Sequence, residues 1–173
     1  LDVCAGTKPE EEYEALCWLI DVVQGEASKP ICIDSPDPQM LKKVFPRIKT
    51  PGIINSISGE GDKCDILLPL LREHPNWQVI ALACDEKGIS ASAEDKVKIS
   101  LSLIEKAAEY GVGPERIHID PLVLALSAEN SAAMNFCEAI RRIKNHYPTV
   151  NITAALSNVS YGLPVRSLLN TNF

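Results

Sequence analysis

Aromatic side chains are scarce: Phe, Trp and Tyr together make up 5% of the 173 residues. A carbohydrate enzyme needs rings to stack sugars on, so a glycosidase built on Asp34 and Asp120 ranks low. An excess of basic residues is missing too. Lys and Arg number 17 against 23 Asp and Glu, for a net charge of −6. That gives no electrostatic footprint for nucleic acid and no polybasic run for an anionic membrane. No apolar stretch approaches the ~20 residues of a spanning helix.

The familiar chemical motifs are also lacking. Six cysteines form no C-x-x-C pair, which weakens a zinc or iron–sulfur reading. They are expected to be buried free thiols in a reducing cytoplasm. Neither G-x-G-x-x-G nor a Walker pattern follows the first apolar run. G-x-S-x-G is absent, and Ser157 and Ser160 have no His partner in view. His74 and His146 fall near helix ends, and His118 reads as a hydrogen-bonded core residue. Leu1-Asp2-Val3-Cys4 lacks the basic start and cleavage pattern of a signal peptide and reads as a strand already under way.

What is present is alternation. Apolar runs at 1–6, 30–35, 52–57, 78–84, 116–120 and 151–157 each read as a strand. Each is followed by a loop and a helical pattern. Pro9 and Glu10 to Glu12 open the first helix, where acidic groups complement the dipole. Gly111 stops the helix that begins at Ala93. The stretch from Pro164 to Asn170 reads as the start of another helix. Strand–helix alternation predicts a parallel sheet with helical crossovers, in one domain over 1–173.

An open doubly wound sheet would carry a Gly-rich phosphate loop after its first strand, and this chain does not. A (β/α)8 barrel places functional groups at the C-terminal ends of its strands. The strand ends here carry Asp2, Asp34, Asn55, Asp85, Asp120 and Asn158. About six units are legible against the eight of a full barrel, so the sequence predicts a domain truncated at both ends, covering strands 2 to 7.

Asp34 shares a strand face with Cys32, and Asp120 with His118. If those faces line one mouth, Asp34, Asn55, Asp120 and Asn158 converge. Carboxylates accept the paired N–H donors of an amino-pyrimidinone edge, and amides supply the complementary partners. Asn158 alone reads as a turn residue. Four polar strand ends together point to a neutral heterocycle.

The runs Leu1–Gly6, Ile31–Ser35, Ile54–Ser58, Ile119–Leu122 and Leu156–Ser160 resemble the strand-end motifs of pterin-binding TIM barrels. Within that superfamily, whose fold is dihydropteroate-synthase-like, the chain most resembles methyltetrahydrofolate:corrinoid methyltransferases, relatives of the folate module of cobalamin-dependent methionine synthase. Leu-Ser-Asn-Val-Ser at Leu156–Ser160, Arg166 and the tail Asn170 to Phe173 carry the most specific part. The resemblance implies methyl transfer between N5-methyltetrahydrofolate, or a related tetrahydropterin, and the Co(I) corrinoid (cobalamin) of a partner protein. It implies that Asp2, Asp34, Asn55, Asp120, Asn158 and Arg166 bind the pterin. Asn158 would be the catalytic residue, hydrogen-bonding near the methyl-bearing nitrogen. No bound metal, nucleic acid or membrane is implied; a cytoplasmic enzyme and a homodimer are in keeping with it. Cys4 stands where the family usually has Asn. The alternatives are a dihydropteroate synthase and a non-catalytic pterin-binding module. Against the synthase, Ala5 to Pro9 replaces its Gly-Gly-Glu-Ser-Thr-Arg run, and Ser157-Asn158-Val159 replaces its Lys motif.

Overall fold

In the computed structural model, which describes residues 1–173, short strands alternate with helices along the chain. The strands are β1 (Asp2–Cys4), β2 (Cys32–Asp34), β3 (Ile53–Gly59), β4 (Gln78–Asp85), β5 (Gly88–Ile89), β6 (Ile117–Asp120) and β7 (Asn151–Ile152). The helices are α1 (Pro9–Glu26), α2 (Pro38–Val44), α3 (Lys63–Glu73), α4 (Ala93–Glu109), α5 (Ala132–His146) and α6 (Arg166–Asn172). The sheet order is β1-β2-β3-β4-β6-β7, every neighbouring pair parallel, with β5 added antiparallel to β4. Sequential order without reversal is the order of a barrel wall, not of a doubly wound sheet.

Local chemistry sets the boundaries. Pro9 and three glutamates start α1, and the Asp37 side chain caps α2 by accepting from Gln39 N–H at 2.8 Å. Ser92 caps α4, which ends where Gly111 takes a positive φ of 74°. Gly52 answers a different need. A Cβ there would sit 2.1 Å from the Ile31 carbonyl oxygen, so only glycine lets β3 start against β2.

One face of the sheet is buried and the other is not. Val3, Ile31, Ile33, Ile54, Val79, Ala81, Ile117 and Ile119 are all buried, in a core of 27 residues shared with the helices. The intervening positions Cys32, Asp34, Asn55, Ile80, Leu82 and His118 are only half-buried. Helices on a single face, with polar and apolar side chains mixed on the other, make this the wall of a dihydropteroate-synthase-like barrel.

Three sequence expectations need correction. The last strand was expected to run from Asn151 to Ser157, but β7 ends at Ile152 and Leu156–Ser160 form a 3-10 turn. Only Val159 and Ser160 of that turn are buried, so its apolar look is anchorage and not strand pairing. The sequence predicts a loop after β4. It is a hairpin, because Gly88 at φ 86° folds the chain back as β5. Finally, the cysteines are all free, but Cys4 and Cys137 are exposed, not buried.

Candidate functional site

A single register row crosses the sheet. Cys4 pairs with Asp34, Asp34 with Asn55, Asn55 with Ile80, Ile80 with His118 and His118 with Asn151. Residues in one row of a parallel sheet point to one face. Asp2 and Cys32 form a row behind it, and Leu82 with Asp120 a row ahead. All of these except His118 and Asn151 line a cavity of about 710 Å³ on the open face of the sheet, Asp2, Asp34, Asn55 and Asp120 among them. Four of the six expected site residues are therefore brought together.

Asn55 and Ser56 both line the cavity, which strict alternation would forbid. A register slip between Asn55 and Ile57 permits it, as bulges re-aim side chains beside functional sites. Ile80 and Leu82 give the cavity an apolar floor between the carboxylates of β2 and β6. Thr153, Ala154 and Ala155 close the side beyond β7.

Asn158 and Arg166 lie outside this lining. Asn158 is exposed on the 3-10 turn. Its neighbour Val159 is buried against Val123 and Phe136 and fixes that turn to α5 and the loop after β6. Arg166 clamps the turn from the other side. Its Nε donates to Ser160 Oγ at 3.1 Å and its Nη2 to the Ser157 carbonyl at 3.0 Å. Leu126 N–H donates to the Val159 carbonyl and Ser127 Oγ to the Tyr161 carbonyl, tying the same turn to the β6 loop.

Burial pushes the Asp34 carboxyl above the usual carboxylate range, and the charge of Asp2 adds to the effect. A hydrogen bond from Cys4 pulls it partly back, and Glu12 pushes it up again. Asp120 is 7% exposed, and burial raises its carboxyl too. The backbone amides of Leu122 and Ala155, and the Lys96 ammonium, draw it back down. Leu122 N–H donates to Asp120 Oδ1 at 2.8 Å. Two carboxyls held above their ordinary values face a cavity with few N–H donors, an environment that an N–H-rich ligand would relieve. Burial, then a hydrogen bond with Asp2, raises the Cys32 thiol, so it stays neutral.

His118 is hydrogen-bonded as expected, its Nε2 2.5 Å from Gln78 Oε1, but it is half-buried on the open face of the sheet and not in the core; burial lowers its pKa. Several lining residues were not expected from sequence. Lys63 opens α3 at the cavity and pairs with Glu60 at 3.2 Å. Ser35, also at the cavity, donates to the buried Glu12 at 2.6 Å. The position of Ser35, one residue past a strand-end Asp, was its only signal. No helix is long and apolar enough to cross a membrane.

A family model described as pterin binding enzyme matches residues 3–171. The chain is 51% identical over 174 residues to a methylcorrinoid:tetrahydrofolate methyltransferase of Eubacterium limosum, covering all of this chain and 64% of that relative. It is 29% identical over 185 residues to a methionine synthase of Mycobacterium tuberculosis, covering 15% of that much longer protein. Among solved structures it is similar to a dihydropteroate synthase from Xanthomonas albilineans in complex with 7,8-dihydropteroate, with TM-score 0.71, 16% identity, and coverage of 98% of this chain and 65% of that one. A dihydropteroate synthase from Coxiella burnetii in complex with pteroic acid gives TM-score 0.67 at 14% identity, covering 99% and 68%. The chain thus spans less than two thirds of the length of the first curated relative.

Proposed function

We propose that this chain, which belongs to the pterin-binding enzyme family, serves a methyltransferase working between a corrinoid on a partner protein and a tetrahydropterin. The observation that carries the reading is the cavity itself. Two buried-edge carboxyls, a third acid and an amide, all on one register-matched face, match the donor and acceptor pattern of a pterin edge. The printed name of the Eubacterium limosum relative favours tetrahydrofolate as the pterin and methylcorrinoid as the methyl source.

Asp34 and Asp120 would accept the paired N–H groups of the amino-pyrimidinone ring, and Asn55 would meet its carbonyl and ring nitrogen. Asp2 supports this set through Cys32 and through its charge on Asp34. The corrinoid enters as a co-substrate held by the partner, and supplies a cobalt centre that exchanges the methyl group. The chain's own task is to hold the pterin N5 in line and to manage the proton on it. A neutral amide can accept an N–H and donate to a nitrogen lone pair without a change of charge. Asn158 takes that role in this reading. It lies outside the cavity lining, so its turn must close onto the bound pterin to reach N5. Arg166 contributes by holding the turn that carries Asn158. The six free cysteines suit a reducing cytoplasm.

Calorimetric titration with tetrahydrofolate tests the pocket. Asp120→Ala should abolish measurable binding while leaving a folded protein. Unchanged affinity would remove the cavity from consideration as the pterin site.

A further inference from the structure

Lys96 stands out among the buried residues. It lies in α4, is 1% exposed, and is among the largest fully buried side chains. No carboxylate forms a direct ion pair with it. Its Nζ donates to the Pro121 carbonyl at 2.7 Å and to the Leu122 carbonyl at 2.6 Å. Burying an ammonium costs far more than burying a methionine of similar length, so core packing alone does not call for an amine here.

The two carbonyls belong to the residues that directly follow Asp120. Leu122 has a φ of 57°, the left-handed region that a branched side chain seldom adopts. In that conformation its N–H points at Asp120 Oδ1, while its carbonyl faces Lys96. One residue in an unfavourable backbone state thus links the buried ammonium to the cavity carboxylate.

We propose that Lys96 is a positioning residue for pterin recognition: by gripping the Pro121 and Leu122 carbonyls it holds the left-handed turn that aims Asp120 into the cavity. This rests on the reading of Asp120 as a pterin ligand. Lys96 touches no substrate and acts through that turn. Its charge has a second effect. The ionisable groups around Lys96 are Asp120 from β6 and Cys84 from β4. The Cys84 thiol is pushed up to about 11 by burial and by Glu60, so it is neutral near pH 7. Asp120 is acted on by the Lys96 charge and by the backbone amides of Leu122 and Ala155. Lys96 therefore favours the ionised form of Asp120, the form that accepts N–H donors.

The test compares Lys96→Met, Lys96→Gln, Ser100→Ala and Asp120→Ala with the parent protein. Each is measured by thermal melting and by calorimetric titration with tetrahydrofolate across pH. Ser100 is buried one turn along α4 and donates to the Lys96 carbonyl, so it reports on helix packing alone. Lys96→Met should weaken tetrahydrofolate binding by about tenfold or more, and the acid limb of the affinity profile should move to higher pH. Lys96→Gln keeps an N–H donor near the carbonyls and loses the charge. It should show a smaller loss with the same upward movement, and it serves if the Met variant does not fold. Ser100→Ala should bind like the parent. Parent-like affinity and acid limb in a folded Lys96 variant, beside lost binding in Asp120→Ala, would overturn the role of Lys96 alone. Parent-like binding in Asp120→Ala would overturn the pterin reading and this proposal with it.

Discussion

Asp34 holds its proton more readily than an ordinary aspartate, chiefly because it is partly buried and then because Asp2 is charged beside it. The sign of its effect on stability follows from linkage. A carboxyl raised in the folded state favours folding below its unfolded value of about 4. That contribution is lost as pH rises through the raised folded value. At neutral pH the ionised Asp34 therefore works against the fold, and the protein carries it for another reason. Asp34→Asn should raise the melting temperature at pH 7 and leave it nearly unchanged near pH 3, below the ordinary Asp value. The same substitution should weaken tetrahydrofolate binding. A variant no more stable than the parent at pH 7 would contradict the burial of this charge.

Asp34 and Asp120 close β2 and β6 and were legible because side chains alternate and their apolar runs stop at a polar residue; Asn55, expected at a strand end, instead lies within β3. Lys96 was not legible. A lysine between Asp95 and Val97 reads as a solvated helix position. Yet Lys96, Ser100, Leu103 and Ala107 recur at helical spacing and all are buried. A lysine in register with an apolar stripe was the available signal. Ser56 was invisible for another reason: only the slip in the β3 register turns it to the cavity, and no residue type announces that slip.

Among the elements, the 3-10 turn Leu156–Ser160 departs most from its sequence pattern. Ala154-Ala155-Leu156 looks like a strand continuing. Pairing with β6 nevertheless ends at Ile152, and Val159 turns inward to a small satellite core with Val123 and Phe136. The turn is held by Arg166, by Leu126 and Ser127 of the β6 loop, and by that core. Two substitutions separate its parts. Asn158→Ala removes the polar group alone. It should slow methyl transfer about 100-fold, roughly 3 kcal/mol in the barrier, with tetrahydrofolate affinity near that of the parent. Arg166→Ala frees the turn and keeps the amide. It should lower turnover by a smaller factor, and should speed proteolysis between Ser157 and Leu163. Equal losses of affinity and turnover in Asn158→Ala would place Asn158 in ground-state binding instead.

Across the whole molecule, the division between a helix-covered face and a mixed polar face carries the fold assignment. Val3, Ile33, Ile54, Ile57, Val79, Ala81, Ile117 and Ile119 are buried in the core shared with the helices. An open doubly wound sheet would bury both faces and show continuous apolar strands. The missing Gly-rich loop after the first strand argues against that in the sequence, and the unbroken order of the sheet argues against it in the structure. The β5 hairpin was hidden because Asp85 to Gly88 has the composition of an ordinary turn, and two residues are too few for a strand signal.

Methyl exchange with tetrahydrofolate on this same polar face is the proposal that most needs a direct test. The direct measurement is absorbance of methylcobalamin mixed with this protein and tetrahydrofolate under anaerobic conditions. The expected result is a protein-dependent loss of the methylcobalamin spectrum that requires tetrahydrofolate, is abolished in Asp120→Ala and is slowed in Asn158→Ala. A spectrum that stays constant while calorimetry shows tetrahydrofolate bound would contradict methyl transfer and leave a pterin-binding module in its place.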